Sequence, residues 1–209
     1  DVVPQHGGLD MSDLEAKLDR HRGEVRLVAV TGASNVTGLV PPLRRIARLA
    51  HAHGAEVFVD AAQWAPHRPV RMGPPGGAES LDYVAFSGHK MYAPFGIGAL
   101  IGPRTTFADG APEGVGGGTI RLVTPEDVVW ADAPAREEPG TPNVVGAVAL
   151  ARAMRALEEI GMEAVAAHDA ALRRLCVDAL RAIPGVRIYG DPVPEGHDCV
   201  GVVSFVADG

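Results

Sequence analysis

A chain of 209 residues with 46% hydrophobic and 22% charged side chains has room for one large domain, or one and a half, with an ample core. A formal net charge of −7 without a basic run argues against nucleic-acid binding, which leans on Lys and Arg neutralising phosphates. No apolar run reaches membrane-spanning length, and the opening DVVPQHGG lacks signal-peptide character. Two cysteines, Cys176 and Cys199, without CxxC or zinc spacing, point to a reducing cytoplasm and to no metal site. With no initiator Met and a strand-like run, VGVVSFVADG, at its end, the chain is expected to be a segment of a larger protein.

Short β-branched runs alternate with helical periodicity, which predicts βαβ units and a mostly parallel sheet flanked by helices. A first helix is expected over 10–22, capped by Asp10 or Ser12. VRLVAVT (25–31), largely apolar apart from Arg26 and Thr31, reads as a strand buried on both faces. The next helix opens at Pro41–Pro42, places Leu43, Ile46, Ala47 and Ala50 on one face and stops at Gly54. Strands follow at 56–60 (EVFVD), 82–87 (DYVAFS) and 97–102 (IGALIG). The stretch 103–142, rich in Gly, Pro and acidic residues and containing GVGGGTI, is expected to be a long functional loop or arm. Two helices come next, about 144–160 with Asn143 as N-cap and Gly161 as stop, and about 162–182 with Val165, Leu172, Leu175, Ala179 and Ile183 as an apolar stripe. VRIYG and CVGVVSFV are then two further strands. The expected division is 1–143 as part of a large domain, 144–182 as connecting helices and 183–209 as the start of a smaller α+β domain.

VAVTGASNVTG (28–38) superficially matches the glycine-rich entry of a dinucleotide fold. Gly32 and Gly38 fit that pattern, but Val36 stands where the backbone must turn closely against a pyrophosphate, and no Tyr-x-x-x-Lys pair exists because Phe86 precedes Lys90 by four. A second anomaly is more informative. The chain has 17 arginines and two lysines; Lys17 sits in an ordinary charged helix, whereas Lys90 follows the strand YVAFS at a small-residue turn. A neutral amine attacks carbonyls and forms a Schiff base, which a guanidinium cannot do.

Ligands of open parallel sheets bind beyond the carboxyl ends of the strands. There the predicted strand ends carry Ser34 and Asn35, then Asp60 and Gln63, then Ser87, His89 and Lys90. Any one of them could be a cap or a turn residue; together they call for a common ligand. Pyridoxal phosphate needs a lysine, a carboxylate for its ring nitrogen, and hydroxyl, imidazole or backbone donors for its phosphate.

SNVTG, VDAAQ and SGHK, followed by GGGTI and PGTPN, resemble the class V aminotransferase family of pyridoxal phosphate enzymes, in particular its cysteine desulfurase and selenocysteine lyase branch. The resemblance covers essentially the whole chain. It implies the type I fold of these enzymes, with Lys90 as the Schiff-base lysine and proton shuttle. It further implies Asp60 at the pyridinium nitrogen, Ala62 against one ring face, and Gln63 at the ring hydroxyl. Asn35 would lie near that hydroxyl and the substrate carboxylate. Ser87 and His89 would contact the phosphate, and Thr141 the phosphate held by the other subunit, with Gly116 to Gly118 bordering that shared site. A homodimer with composite sites and an amino-acid substrate follow from the same resemblance.

The chain departs from the family's pattern in lacking its upstream phosphate loop and stacking histidine and its downstream carboxylate-binding arginine and catalytic cysteine. Neither Cys176 nor Cys199 occupies that cysteine's place, and RMGPPGGAES (71–80) is an insertion. Three readings remain at this stage: a desulfurase-like C–S lyase; transamination, epimerisation or another biosynthetic reaction on the same scaffold; and a non-catalytic interaction module. His51 and His53, two apart on a helix, read as surface histidines. Trp64 and His67 read as an entrance or a surface loop, REEPG (136–140) as a solvated loop, and Glu158–Glu159 as an exposed helix end.

Overall fold

In the computed structural model a short antiparallel pair, β1 (Pro4–Gln5) and β2 (Gly8–Leu9), leads into α1 (Met11–Arg20). Residues 4–5, 8–108 and 110–208 are described, the first two by their backbone alone; the rest of DVVPQHGG lies outside them. Asp10 is the cap of α1, its carboxylate accepting from the Ser12 and Asp13 N–H groups at 2.9 and 3.1 Å, so that two donors left over at the helix start are satisfied. Then come β3 (Leu27–Thr31), β4 (Leu39–Val40), α2 (Leu43–Ala52), β5 (Glu56–Asp60), β6 (Tyr83–Ser87) and β7 (Gly98–Ile101).

The main sheet has the order β3-β5-β6-β7, parallel between β3, β5 and β6 and antiparallel between β6 and β7. Strand alternation splits its residues cleanly. Val57, Val59 and Val84, with no measurable exposure, face the side covered by Leu43, Ala47 and Ala50 of α2. Each such side chain withdrawn from water contributes about 1.5–3 kcal/mol. Ile46, the remaining member of the predicted α2 stripe, packs instead on Met11, Leu14 and Leu18 of α1.

The opposite face is open, which corrects the reading of 25–31 as buried on both sides. Leu27, Ala29 and Thr31 are exposed there, because no described residues form a layer over them. The stretch 103–142 is also more ordered than a loop. It holds an antiparallel hairpin, β8 (Ile120–Val123) with β9 (Val128–Trp130), bulged between Ile120 and Leu122. Arg136 is buried in this arm and donates to the carbonyls of Ala108 and Gly110, so REEPG is not simply a solvated loop.

Helices α3 (Val144–Ile160) and α4 (Met162–Arg181) have the expected boundaries, with Asn143 accepting from the Gly146 N–H at 2.9 Å and Gly161 at φ 88 between them. Glu158 and Glu159 are exposed as expected. The apolar stripe on α4 is not a buried seam: Leu172 and Leu175 are exposed, and Val177 is the residue that packs inward. CVGVVSFV divides in two. β11 (Asp198–Cys199) pairs with β4, whereas β12 (Ser204–Ala207) pairs with β10 (Val186–Tyr189).

The two helix histidines are not free surface groups. His51 contacts Asp82 Oδ2 through Nε2 at 2.8 Å and the Ala78 carbonyl through Nδ1. His53, with a side chain only 9% exposed, meets the Leu49 carbonyl at 2.7 Å and Asp19 Oδ1 at 3.1 Å. The Leu49 carbonyl and then the Asp19 carboxylate raise the His53 pKa above its ordinary value, while Arg22 and then His53 lower that of Asp19. A raised histidine stabilises the fold fully below its unfolded pKa of about 6.5 and loses that contribution as pH rises through the folded value. A lowered carboxylate contributes above its unfolded value of about 3.9 and loses that as pH falls. His53→Ala is therefore expected to lower the melting temperature more at pH 5.5 than at pH 8.5; equal losses would show that the ring's charge is irrelevant.

Candidate active site

All of the sequence-predicted polar residues except Thr141 lie on loops and strand ends at one edge of the sheet. The registers place Thr31 opposite Asp60 and Asp60 opposite Ala85, with Ser87 two residues further along β6. Thr31, Asp60 and Ser87 thus share the open face at the carboxyl ends of the parallel strands. Beyond β3 the chain turns through Ser34–Gly38, where the Ser34 hydroxyl accepts from the Val36 and Thr37 N–H groups and leaves Asn35 exposed at the tip. Beyond β5 the chain makes a helical turn, Trp64 and Ala65 N–H both donating to the Ala61 carbonyl, with Ala62 and Gln63 half-buried. Asp60 Oδ1 accepts from the Ala62 N–H at 2.9 Å.

Lys90 lies on a 3-10 turn, Gly88–Met91, directly after β6. The turn is closed by Gly88 N–H donating to the Ile97 carbonyl at 2.7 Å and Ala93 N–H donating to the Gly88 carbonyl at 2.9 Å. A Cβ on Gly88 would come within 2.8 Å of the Ile97 oxygen, so this close approach requires glycine. Lys90 is half-buried, and His89 is exposed beside it.

The chemistry of this edge lies in what its side chains leave unused. Asn35, Gln63, Ser87, His89 and Lys90 make no side-chain hydrogen bond or ion pair with the described residues, and Asp60 uses only Oδ1. An amine, a carboxylate, a carboxamide pair, a hydroxyl and an imidazole all remain available at one rim. Such a set fits a ligand carrying a carbonyl for the amine, a basic ring nitrogen for the acid, and an anionic group for the hydroxyl and imidazole. Pyridoxal phosphate has all three.

Thr141 is exposed on the loop before α3. That loop is joined to the glycine-rich turn by the Gly140 N–H donating to the Gly117 carbonyl at 2.8 Å. Thr119, fully buried, pins the same turn through Oγ1 to the Gly116 carbonyl at 2.7 Å. The two motifs are thus joined by backbone hydrogen bonding, and Thr119, which pins the turn, was not singled out from the sequence.

The dinucleotide-like glycines have packing reasons. A Cβ at Gly32 would meet Trp64 Cβ at 2.9 Å, and one at Gly38 would meet the Val200 and Val202 carbonyls at 2.8 Å. Trp64 is half-buried and packs against two core clusters. His67 faces Asp169 at 3.4 Å. Beside it is Arg68, which sequence reasoning passed over. Its guanidinium contacts Asp169 at 3.1 Å, Asp198 at 3.3 Å, its neighbour's carbonyl at His67 and the Cys199 carbonyl. Asp169 in turn accepts from the Gly201 N–H at 2.8 Å. One half-buried ion pair thus ties the loop after Gln63 to α4 and to the backbone at 198–201.

Fold and site together define an α/β domain with a lysine, Lys90, at the carboxyl edge of a mostly parallel sheet. Comparison with known proteins sharpens this class. The aminotransferase class-V family model matches residues 2–209, and the chain belongs to that family. A probable cysteine desulfurase of Halobacterium salinarum is 42% identical over 197 residues, covering 94% of this chain and 46% of the relative. The apo structure of a cysteine desulfurase from Thermococcus onnurineus NA1 superposes with a TM-score of 0.84 at 34% identity, over all of this chain and 50% of that one. A C-DES variant solved with glycine covalently linked to its PLP cofactor matches with a TM-score of 0.75 at 26% identity, over 93% of this chain and 50% of that one. The fold is the type I fold of these enzymes, and the chain spans about half the length of the relatives it matches.

Proposed function

We propose that this chain forms the lysine-bearing part of a pyridoxal phosphate-dependent cysteine desulfurase-like C–S lyase that acts as a homodimer in the cytoplasm. The observation that carries the reading is the convergence of Lys90, Asp60 and Gln63, all with unused polar atoms, at one sheet edge. We assign residues up to 143 to the large domain, 144–182 to connecting helices and those from 183 to the start of a smaller domain.

Bound there, the cofactor would supply an electron sink for charge developing at the substrate Cα. Asp60 Oδ2 would hold the ring nitrogen in its protonated form. Ala62 would pack on the ring, while Gln63 and Asn35 would donate to its hydroxyl. Ser87 and His89 would hold the phosphate. Lys90 Nζ would hold the cofactor covalently in the resting enzyme and, once freed, would serve as the base for the proton at the substrate Cα. Thr141, with Gly116 to Gly118 beside it, would reach the partner subunit's phosphate. The exposed apolar residues around that surface, Val144, Val145 and Val148 on α3 with Val115 on the arm, suit burial against a second copy. Both cysteines are free thiols, Cys199 buried and Cys176 exposed on α4, as suits a reducing compartment.

The full-length polypeptide, loaded with pyridoxal phosphate and given cysteine and a thiol reductant, is expected to release sulfide and alanine in equal amounts. Pyruvate formation or amino-group transfer without sulfide would instead assign another class V reaction.

A further inference from the structure

Asn143 makes two bonds that serve different ends. Its Oδ1 caps α3 at the Gly146 N–H, 2.9 Å away, and its Nδ2 donates to the Phe95 carbonyl at 2.6 Å, across 48 residues of sequence. Phe95 belongs to the loop that closes the Lys90 turn, and that loop is strained. Tyr92 and Phe95 have φ of 65 and 73, a left-handed backbone that bulky residues rarely adopt and that persists only when surrounding contacts impose it. Helix capping needs the carboxamide oxygen alone. The nitrogen is left to hold the strained carbonyl, two residues after Thr141.

We propose that Asn143 is a positioning residue for Lys90: by anchoring the Phe95 carbonyl it holds the 92–97 loop, and with it the lysine turn, in register with the Thr141 loop. The inference rests on the reading of Lys90 and Thr141 as cofactor contacts. No other side chain hydrogen-bonds the backbone of residues 92–97 among the described residues. In a dimer with shared sites, the same amide would couple one subunit's lysine turn to the loop addressing its partner's phosphate.

Two substitutions separate the roles. Asn143→Ser and Asn143→Asp both keep an oxygen acceptor for the cap, but serine is too short to reach Phe95 and aspartate presents a carboxylate to a carbonyl. In the full-length protein both are expected to melt as apoproteins within a degree or two of wild type. Both should bind pyridoxal phosphate about three- to tenfold more weakly, the scale set by one lost hydrogen bond, with the larger loss for Asn143→Asp. The visible absorption of the lysine-bound cofactor should titrate at a different pH. Adding Phe95→Asn to Asn143→Ser, which lets a residue tolerant of positive φ occupy the turn, should recover part of the affinity. Affinity within twofold of wild type and an unchanged titration in both single variants would overturn the proposal while leaving the cofactor assignment standing. A variant that fails to fold despite its retained cap would also count against it, as would absence of rescue by Phe95→Asn. A wild-type protein that binds no pyridoxal phosphate would overturn both readings together.

Discussion

Lys90→Ala in the full-length protein is expected to lower turnover at least about 1,000-fold while leaving the fold intact. The substitution removes the covalent attachment point and the base at once, and the base alone contributes about 10²–10⁴-fold in comparable reactions. Nothing structural should be lost with it, because Nζ makes no bond to the described residues and the turn is held by Gly88, Ala93 and Ile97. Lys90→Arg should fare no better, since it preserves charge and length but not nucleophilicity. Steady-state sulfide release and circular dichroism check this together. Turnover within tenfold of wild type in either variant would remove Lys90 from its assigned role.

The second large effect is expected on stability. Arg68 and Asp169 have side chains 11% and 16% exposed, and Arg68 is surrounded by four acceptors from three parts of the chain. Removing one member leaves the other half-buried with its remaining partners, Asp169 with His67 and the Gly201 N–H, Arg68 with Asp198 and two carbonyls, at a cost of about 1–3 kcal/mol. Arg68→Ala should fall in that range in denaturant unfolding. Asp169→Ala should cost a similar amount, and the double variant less than the sum of the two, because the partners share one interaction. Gly201 offers an independent probe: a Cβ there would lie 2.0 Å from Asp169 Oδ1, so Gly201→Ala must displace the same carboxylate. Strict additivity of Arg68→Ala and Asp169→Ala would show that the ion pair is not the unit that matters.

Much of the fold was legible because local chemistry and tertiary context agree. Asp10, Asn143, Gly54 and Gly161 mark helix ends by capping or by positive φ, and Leu43, Ala47 and Ala50 mark a helix face that meets Val57 and Val59. The candidate site was legible for a different reason: polar residues recur at the ends of apolar strands, where a shared ligand would give them common cause. What escaped sequence reasoning depends on distance along the chain. Arg68 finds Asp169 at a separation of 101 residues, and Asn143 finds Phe95 at 48; no periodicity encodes either. The hairpin in 103–142 was hidden by short, bulged strands set among Gly and Pro. For β3, a largely apolar run suggests burial on two faces, yet the layer for its second face is not among the described residues.

The central claim is that the edge bearing Asp60, Gln63 and Lys90 binds pyridoxal phosphate through Lys90. Borohydride reduction of the full-length protein incubated with pyridoxal phosphate, followed by peptide mass analysis, tests it most directly. The expected result is bleaching of a yellow protein with one stable pyridoxyl adduct per chain, on the peptide containing Phe86 to Met91 and at Lys90. A protein that stays colourless, or an adduct confined to another lysine, would contradict the account.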